Sequence, residues 1–220
     1  MHHTVRSGQP AFDPASAVAR ADAVRYERPA RSAHPDSDAM IAYHARLYAN
    51  FLATPRWPLD QGLGTVKQSF RAWPWVCDSN GHLTNARYFT FMDYGRTAWF
   101  GATGTGTAAL KRRVGFLLAG SAMTYRREIP LGAPFSLHTE LAGFDERWWY
   151  FTQTFFLDGG NVAARALARG TCKGRSGTVN MGEILGWTGR DIEAFGPGDE
   201  FDAWLSSVDA TLAAMKRLSA

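Results

Sequence analysis

The sequence predicts an α+β domain in which a long, curled antiparallel sheet wraps around one central helix. Residues 85–100 are apolar on more than one narrow stripe, which is typical of a helix that is buried on most sides. Residues 114–173 show successive strand patterns separated by short connections that contain Gly, Pro or Asp. The helix follows the first strand, and further helices are expected at both ends of the chain.

The chain begins with a segment whose composition differs from the rest. Residues 1–34 are rich in Ala, Ser, Pro and Arg, and we expect them to form a flexible N-terminal extension. Residues 35–64 are expected to hold a helix and a linker. Apolar residues recur at helical spacing from Asp36 to Thr54, and Pro55 stands just past that end.

The main domain is predicted over residues 65–180. Thr65 to Val76 is expected to be a strand, with Pro74 interrupting its late portion. Asn85 to Phe100 forms the central helix, which Gly101 is expected to end. The glycine-rich run from Gly101 to Gly106 follows a helix rather than a strand, so it predicts a helix stop and a flexible loop, not a phosphate cradle.

Four strand patterns complete the sheet: Val114 to Ile129, Phe135 to Phe144, Trp148 to Leu157, and Val162 to Lys173. The connections between them are short, so consecutive strands are expected to be antiparallel neighbours. Residues 181–220 are predicted to be a C-terminal helical extension, with an amphipathic helix from Glu200 to Leu218.

The loop between the first strand and the central helix carries the chemistry. Asp78, Asn80 and His82 lie within five positions, directly before the helix. A carboxylate and an imidazole can exchange protons, and an amide can orient a reactant. Asp-Ser-Asn-Gly is also an ordinary turn sequence, in which the side chains of Asp78 and Asn80 would only satisfy nearby backbone donors.

The loop and the helix after it resemble the hotdog-fold thioesterases of the 4-hydroxybenzoyl-CoA thioesterase superfamily, which act on acyl-CoA or acyl-carrier-protein substrates. Their loop is D-x-N-x-H-x-N-N-x-x-Y, and this chain has Asp78 to His82 followed by Asn85 and Tyr88. Residues 125–132 and 163–166 look like the same family, and the resemblance spans residues 65 to 175. Thr84 departs from the pattern by replacing the first of two asparagines, although its hydroxyl could still cap the helix.

The resemblance implies a catalytic role for the loop. Asp78 would act as general base toward water or, alternatively, as a nucleophile, while Asn80 orients the water or thioester and His82 shares the acid/base work. The start of a helix offers N–H donors for developing negative charge. We expect the oxyanion and substrate-positioning site in the following backbone: Gly81, Leu83, Thr84 and Asn85.

The basic residues fit a small phosphorylated ligand better than a nucleic acid. The formal charge of +4 comes from short scattered groups rather than one long stripe. If the substrate is a CoA thioester, arginine and lysine could contact its phosphates, although solvated charges at strand ends are an alternative. The candidates are Arg112, Arg113, Lys173 and Arg175. No metal or cofactor is implied.

The sequence also bears on location and assembly. It holds two cysteines and no apolar run long enough to span a bilayer, so we expect a cytoplasmic protein without membrane contact. The family resemblance implies at least a homodimer, which would cover exposed sheet edges. Asp93 and Arg96, three apart on the central helix, are interpreted as a helix-surface or interface ion pair.

The predicted function is an acyl-thioester hydrolase in fatty acid or acyl metabolism. One alternative is a catalytically silent acyl-CoA-binding or scaffold protein that keeps the fold and its pocket. A second is an enoyl-thioester hydratase or dehydratase. That branch of the fold carries D-x-N-P-x-H, in which the histidine is five residues after the aspartate, whereas His82 follows Asp78 by four and Gly81 replaces the proline.

Overall fold

The computed structural model describes residues 36–218. The expected extension, residues 1–34, lies outside the described residues. The helices are α1 (Asp36–Ala53), α2 (Asn85–Thr103), α3 (Thr105–Lys111), α4 (Met181–Gly186) and α5 (Asp202–Leu218). The strands are β1 (Val66–Arg71), β2 (Gly115–Tyr125), β3 (Pro134–Phe144), β4 (Trp149–Leu157), β5 (Val162–Gly174) and β6 (Gly177–Val179).

The strands form one antiparallel sheet in the order β1-β3-β4-β5-β2, with β6 paired to the end of β5. This confirms the predicted α+β class with a central helix packed on an antiparallel sheet. One expectation about neighbours is wrong. β2 and β3 follow each other in the chain, but β2 pairs with β5 and β3 pairs with β1. Residues 126–133 therefore connect one edge region of the sheet to the other, and we call them the crossing connection.

The central helix α2 lies close against the sheet at Gly95. A Cβ atom at this position would collide with the hydroxyl of Thr139 on β3 and approach the amide of Gln153 on β4 to 2.8 Å. The absent side chain thus lets the helix backbone lie directly on the strands. Farther along α2, Trp99 is fully buried, with its ring centre 5.0 Å from that of Phe151.

Three element boundaries differ from those expected. β1 ends at Arg71 and a 3-10 turn, Pro74–Val76, follows, because proline has no N–H for the sheet. α2 runs past Gly101 and ends at Gly104, whose φ of 77° suits a left-handed helix stop. The expected loop after it is the short helix α3.

The terminal helices α1 and α5 pack against this framework. The ring of Phe51 on α1 fills a notch at Gly106, where a Cβ would overlap it. Near α5, Arg165 of β5 donates from Nε to Glu200 at 2.8 Å, and Arg169 donates to Asp209 at 3.1 Å. Over residues 36–218, no helix combines the length and the apolar character that crossing a bilayer requires.

Candidate active site

Asp78 opens a tight turn that precedes α2. Its backbone N–H donates to the carbonyl of His82 at 2.9 Å, and its own carbonyl accepts from Gly81 at 3.1 Å. Its side-chain Oδ1 accepts from the backbone N–H of Asn80 at 2.9 Å. Gly81 has a φ of 78°, a left-handed conformation that glycine adopts without a steric penalty. The sequence Asp-Ser-Asn-Gly therefore forms the turn that its composition predicts.

The turn is fixed in place by the crossing connection. Leu83 donates from its backbone to Ile129 at 2.9 Å, and Leu131 donates back to Gly81 at 2.7 Å. The Leu83 side chain is buried beneath the turn, as is that of Ile129. Because this connection joins the two edge regions of the sheet, the position of Asp78 is set by the whole sheet rather than by the local sequence alone.

The structure brings two of the three predicted catalytic side chains together. His82 Nδ1 lies 3.4 Å from Asp78 Oδ2, and the two side chains are 31% and 32% exposed. The carboxylate therefore has one oxygen on a backbone amide and the other facing an imidazole, while part of it stays open to a ligand. Asn80 is exposed, and its side chain makes no hydrogen bond within the described residues.

The helix start differs from the expectation in one respect. Thr84 stands at the N-cap with φ −68° and ψ 143°, but its side chain makes no capping hydrogen bond. Its hydroxyl therefore does not cap the helix. Three nearby amides are used by the fold: those of Gly81, Leu83 and Thr84, which donate to Asp78, Ile129 and Val76.

A cavity of about 330 Å³ adjoins the turn and contains residues that were not singled out from the sequence. Its wall includes His82, Asn85, Tyr88, Tyr125, Arg126, Arg127 and Glu128. The rings of Tyr88 and Tyr125 meet edge to face with centres 5.1 Å apart. Burial, with a smaller effect from Tyr125, raises the pKa of Tyr88 to about 12, so its hydroxyl keeps its proton at neutral pH. The signal in the sequence was the Arg-Arg-Glu run after β2, but only the crossing connection places it beside His82.

The four proposed phosphate contacts lie elsewhere in the chain. Lys173 pairs with Gly115 at the start of β2 and donates from Nζ to Thr178 at 2.9 Å. The Asp78 turn docks beyond the other end of this 11-residue strand, about 30 Å away at roughly 3.3 Å per residue. Arg112 and Arg113 precede β2, and Arg175 is exposed between β5 and β6. Within one chain, these cations are remote from Asp78.

Asp93 and Arg96 form the expected ion pair, but the pair is not a surface feature. Arg96 is buried and donates from Nη1 to Oε1 of Gln153 at 2.6 Å. Asp93 also accepts from the hydroxyl of Tyr43 on α1 at 2.7 Å. Burial lowers the pKa of the Arg96 guanidinium, and Asp93 opposes that shift. The pair borders a mostly apolar cavity of about 380 Å³ between α1, α2 and β2, whose wall includes Leu47, Phe51, Phe100, Phe116 and Trp149.

Two characterised sequences are similar to this chain. It is 28% identical over 129 residues to Protein THEM6 of Drosophila melanogaster, which covers 58% of this chain and 65% of that protein. It is 29% identical over 145 residues to thioesterase poxG of Penicillium oxalicum, which covers 58% of this chain and 46% of that protein. The chain thus spans less than two thirds of the length of either relative.

The fold is shared with solved structures. The probable thioesterase YbaW of Escherichia coli superposes with a TM-score of 0.52 at 18% identity, covering 58% of this chain and 98% of that one. This likeness confirms the hotdog fold. The model of the thioesterase-like superfamily matches residues 72–205, which include the Asp78 turn, the central helix and the sheet from β2 onward. The chain belongs to the thioesterase-like superfamily.

Proposed function

We propose that the protein is an acyl-thioester hydrolase that uses Asp78 to activate water. The observation that carries the proposal is the Asp78 carboxylate itself. It is held by an Asn80 amide and by His82, it is one third exposed, and it stands at the start of the central helix. A general base must be fixed in position yet reachable by the proton that it removes. Membership of the thioesterase-like superfamily supports the same reaction class.

The oxyanion donors are proposed to be the first free amides of α2. The amides of Gly81, Leu83 and Thr84 already donate within the fold, which leaves their carbonyl oxygens and side chains for substrate positioning. The amides of Asn85 and Ala86 open the first turn, where no intrahelical acceptor exists. In the described structure neither makes another backbone hydrogen bond. The helix dipole adds positive potential at this end.

The remaining roles follow from the geometry. Asn80, exposed and unbonded, would orient the water or the thioester carbonyl. His82, with Nδ1 toward Asp78, would orient the carboxylate and transfer a proton to the leaving thiolate from its other nitrogen. Asp78 as a nucleophile would instead form an anhydride with the acyl group and release the thiol first. Incorporation of labelled water oxygen into Asp78 during a single turnover would distinguish that route from general-base catalysis.

A homodimer is part of the proposal. β2 is an edge strand whose neighbour is β5 alone, and Leu117 and Leu118 on it are about half exposed. An 11-residue edge with apolar side chains favours pairing with a second copy. The substrate is proposed to be an acyl-CoA or an acyl-carrier protein. Cys77 and Cys172 are both free, which fits a reducing compartment such as the cytoplasm.

A silent acyl-binding protein is the competing function, and the apolar cavity beneath α1 favours it. This cavity could hold an acyl chain without involving Asp78, since it meets α2 at Asp93 to Phe100. Those residues lie about 12 to 22 Å from Asn85 at 1.5 Å per helical residue. Binding of acyl-CoA without release of thiol would select this function.

The test is release of free thiol from short, long and aromatic acyl-CoAs and from acyl-carrier proteins. Wild type is compared with Asp78→Asn at matched folding and oligomeric state. We expect release by wild type and a loss of about 10²- to 10⁴-fold in the variant, the usual range for a general base. Equal release by both proteins would exclude Asp78 as the base. Absence of release from every substrate would favour the acyl-binding protein.

A further inference from the structure

A second polar cavity, of about 450 Å³, lies at the far end of the central helix. It is enclosed by the segment after α1, the α2–α3 junction and the segment after α4. Four of its wall residues are cationic: Arg56, Lys111, Arg112 and Arg190. The other wall residues are neutral: Trp57, Pro58, Leu59, Thr103, Gly104, Thr107, Ala108, Trp187 and Thr188. The wall thus combines four positive charges with no acidic residue.

Arg190 is the unusual member of this group because it is only 5% exposed. Its Nη1 donates to the carbonyl of Thr103 at 2.7 Å, and its Nη2 donates to the carbonyl of Trp57 at 2.9 Å. Its Nε is buried and has no hydrogen-bond partner. These acceptors are neutral, so within residues 36–218 no carboxylate balances the charge. Buried charges are ordinarily paired, because removing an ion from water is costly.

The other three cations surround the same space and are also without acidic partners. Arg56 donates to the hydroxyl of Thr107 at 2.9 Å, and Arg112 stacks over Trp187 with 4.5 Å between the guanidinium carbon and the ring centre. Both contacts orient a guanidinium without neutralising it. The acidic neighbours in sequence, Asp60 and Asp191, are exposed, lie outside the cavity wall and form no ion pair in the described structure.

We propose that this cavity binds the phosphate group of a ligand. A phosphate offers several acceptor oxygens and the negative charge that the wall lacks, and arginine matches it with paired donors. Burial lowers the pKa of the Arg190 guanidinium, and a bound anion would oppose that effect. Two of the wall segments are distinct in origin, since Arg56 to Leu59 precede the region matched by the superfamily model, residues 72–205.

The phosphate site is separate from the Asp78 turn. α2 has 19 residues, so its two ends are about 27 Å apart at 1.5 Å per residue. The phosphate could belong to the nucleotide end of a CoA thioester or to a free phosphorylated metabolite. Of the four cations proposed from the sequence, Arg112 lines this cavity, whereas Arg113, Lys173 and Arg175 do not.

Calorimetric titration of the full-length protein tests the proposal with CoA, adenosine 3′,5′-bisphosphate, inorganic phosphate and unphosphorylated pantetheine as probes. Arg56→Gln, Lys111→Gln and Arg112→Gln each remove one charge from the cavity. Lys67→Gln is the matched control, because Lys67 is exposed on β1. Arg190→Gln is avoided as the main test, since Arg190 joins three segments and its loss could unfold the protein.

We expect each cavity variant to weaken phosphate binding about 10-fold, as for the loss of a charged hydrogen bond. Lys67→Gln should change it by less than about twofold, as for an ordinary surface substitution. Tight binding of CoA and the bisphosphate with weak binding of phosphate would identify a nucleotide ligand. Equal binding of inorganic phosphate would identify a free phosphorylated metabolite.

Failure of every phosphorylated probe to bind at millimolar concentration would overturn the proposal, as would equal affinity in wild type and all three cavity variants. The proposed hydrolysis fails separately. Asp78→Asn should bind the bisphosphate like wild type, because Asp78 is remote from this cavity. Thiol release that is absent while bisphosphate binding persists would remove the hydrolase and keep the phosphate site.

Discussion

Arg96 Nη1 lies 2.6 Å from Gln153 Oε1, so a neutral amide on β4 holds a buried cation on the central helix. The amide nitrogen of Gln153 donates to the carbonyl of Met92 at 2.8 Å and to the hydroxyl of Thr139 at 3.0 Å. One side chain thus satisfies polar groups on a helix and on a neighbouring strand. This buried network connects the two layers of the domain.

Replacement of Gln153 by leucine should lower the free energy of unfolding by about 1–3 kcal/mol, because it leaves buried donors and acceptors unpaired. Chemical denaturation followed by circular dichroism measures the change. Gln61→Leu is the control, since Gln61 is exposed. Wild-type stability in Gln153→Leu would show that the network adds nothing beyond the packing of the side chain.

Asn85→Pro should lower kcat by about 10²- to 10³-fold if the Asn85 amide stabilises the oxyanion. Proline is well tolerated at the first position of a helix, and Thr84, with φ −68° and ψ 143°, already has the conformation that a following proline requires. Asn85→Ala is the control because it removes the side chain and keeps the N–H. Thiol release at saturating substrate gives kcat. Undiminished turnover in the proline variant would exclude this amide.

The Glu200–Arg165 ion pair should give a pH-dependent contribution to stability. The hydrogen bond from Arg165 holds the pKa of Glu200 below its ordinary value of 4.5. The contribution is therefore complete above that value and is lost as the pH falls through the lower pKa of the folded state. Since the side chains are 38% and 41% exposed, Glu200→Gln should cost no more than about 1 kcal/mol at pH 7.

Urea unfolding of wild type and Glu200→Gln at pH 7 and at successively lower pH checks this prediction. The difference between the two should shrink toward zero in acid. Glu193→Gln is the control, because Glu193 is exposed and forms no ion pair in the described part of the chain. A difference that stays constant with pH would show that the ion pair is not its source.

Local patterns predicted the elements well, and long-range pairing explains what they missed. The apolar residues from Asn85 onward predicted the central helix because a buried helix leaves that pattern in any single sequence. The pairing of β2 with β5 leaves no such pattern, since an antiparallel strand can be satisfied by either neighbour. The short connection after β2 therefore favoured the wrong partner.

The site shows the same division. Asp78 and His82 are four apart, so their proximity follows from one turn, and the sequence was sufficient to predict it. Tyr125 and Arg126 reach His82 only through the crossing connection, about 40 residues later in the chain. Arg190 joins Trp57 across more than a hundred residues, a contact that no local pattern encodes.

The crossing connection also makes the Asp78 turn a late product of folding. Leu83 and Ile129 are 46 positions apart, and their hydrogen bond requires both edge regions of the sheet to be in place. Contacts that close long loops form after local ones, because the chain must first lose the entropy of the intervening segment. A nascent or partly folded chain would accordingly carry the central helix before it carries an ordered carboxylate, which ties the onset of any activity to completion of the sheet.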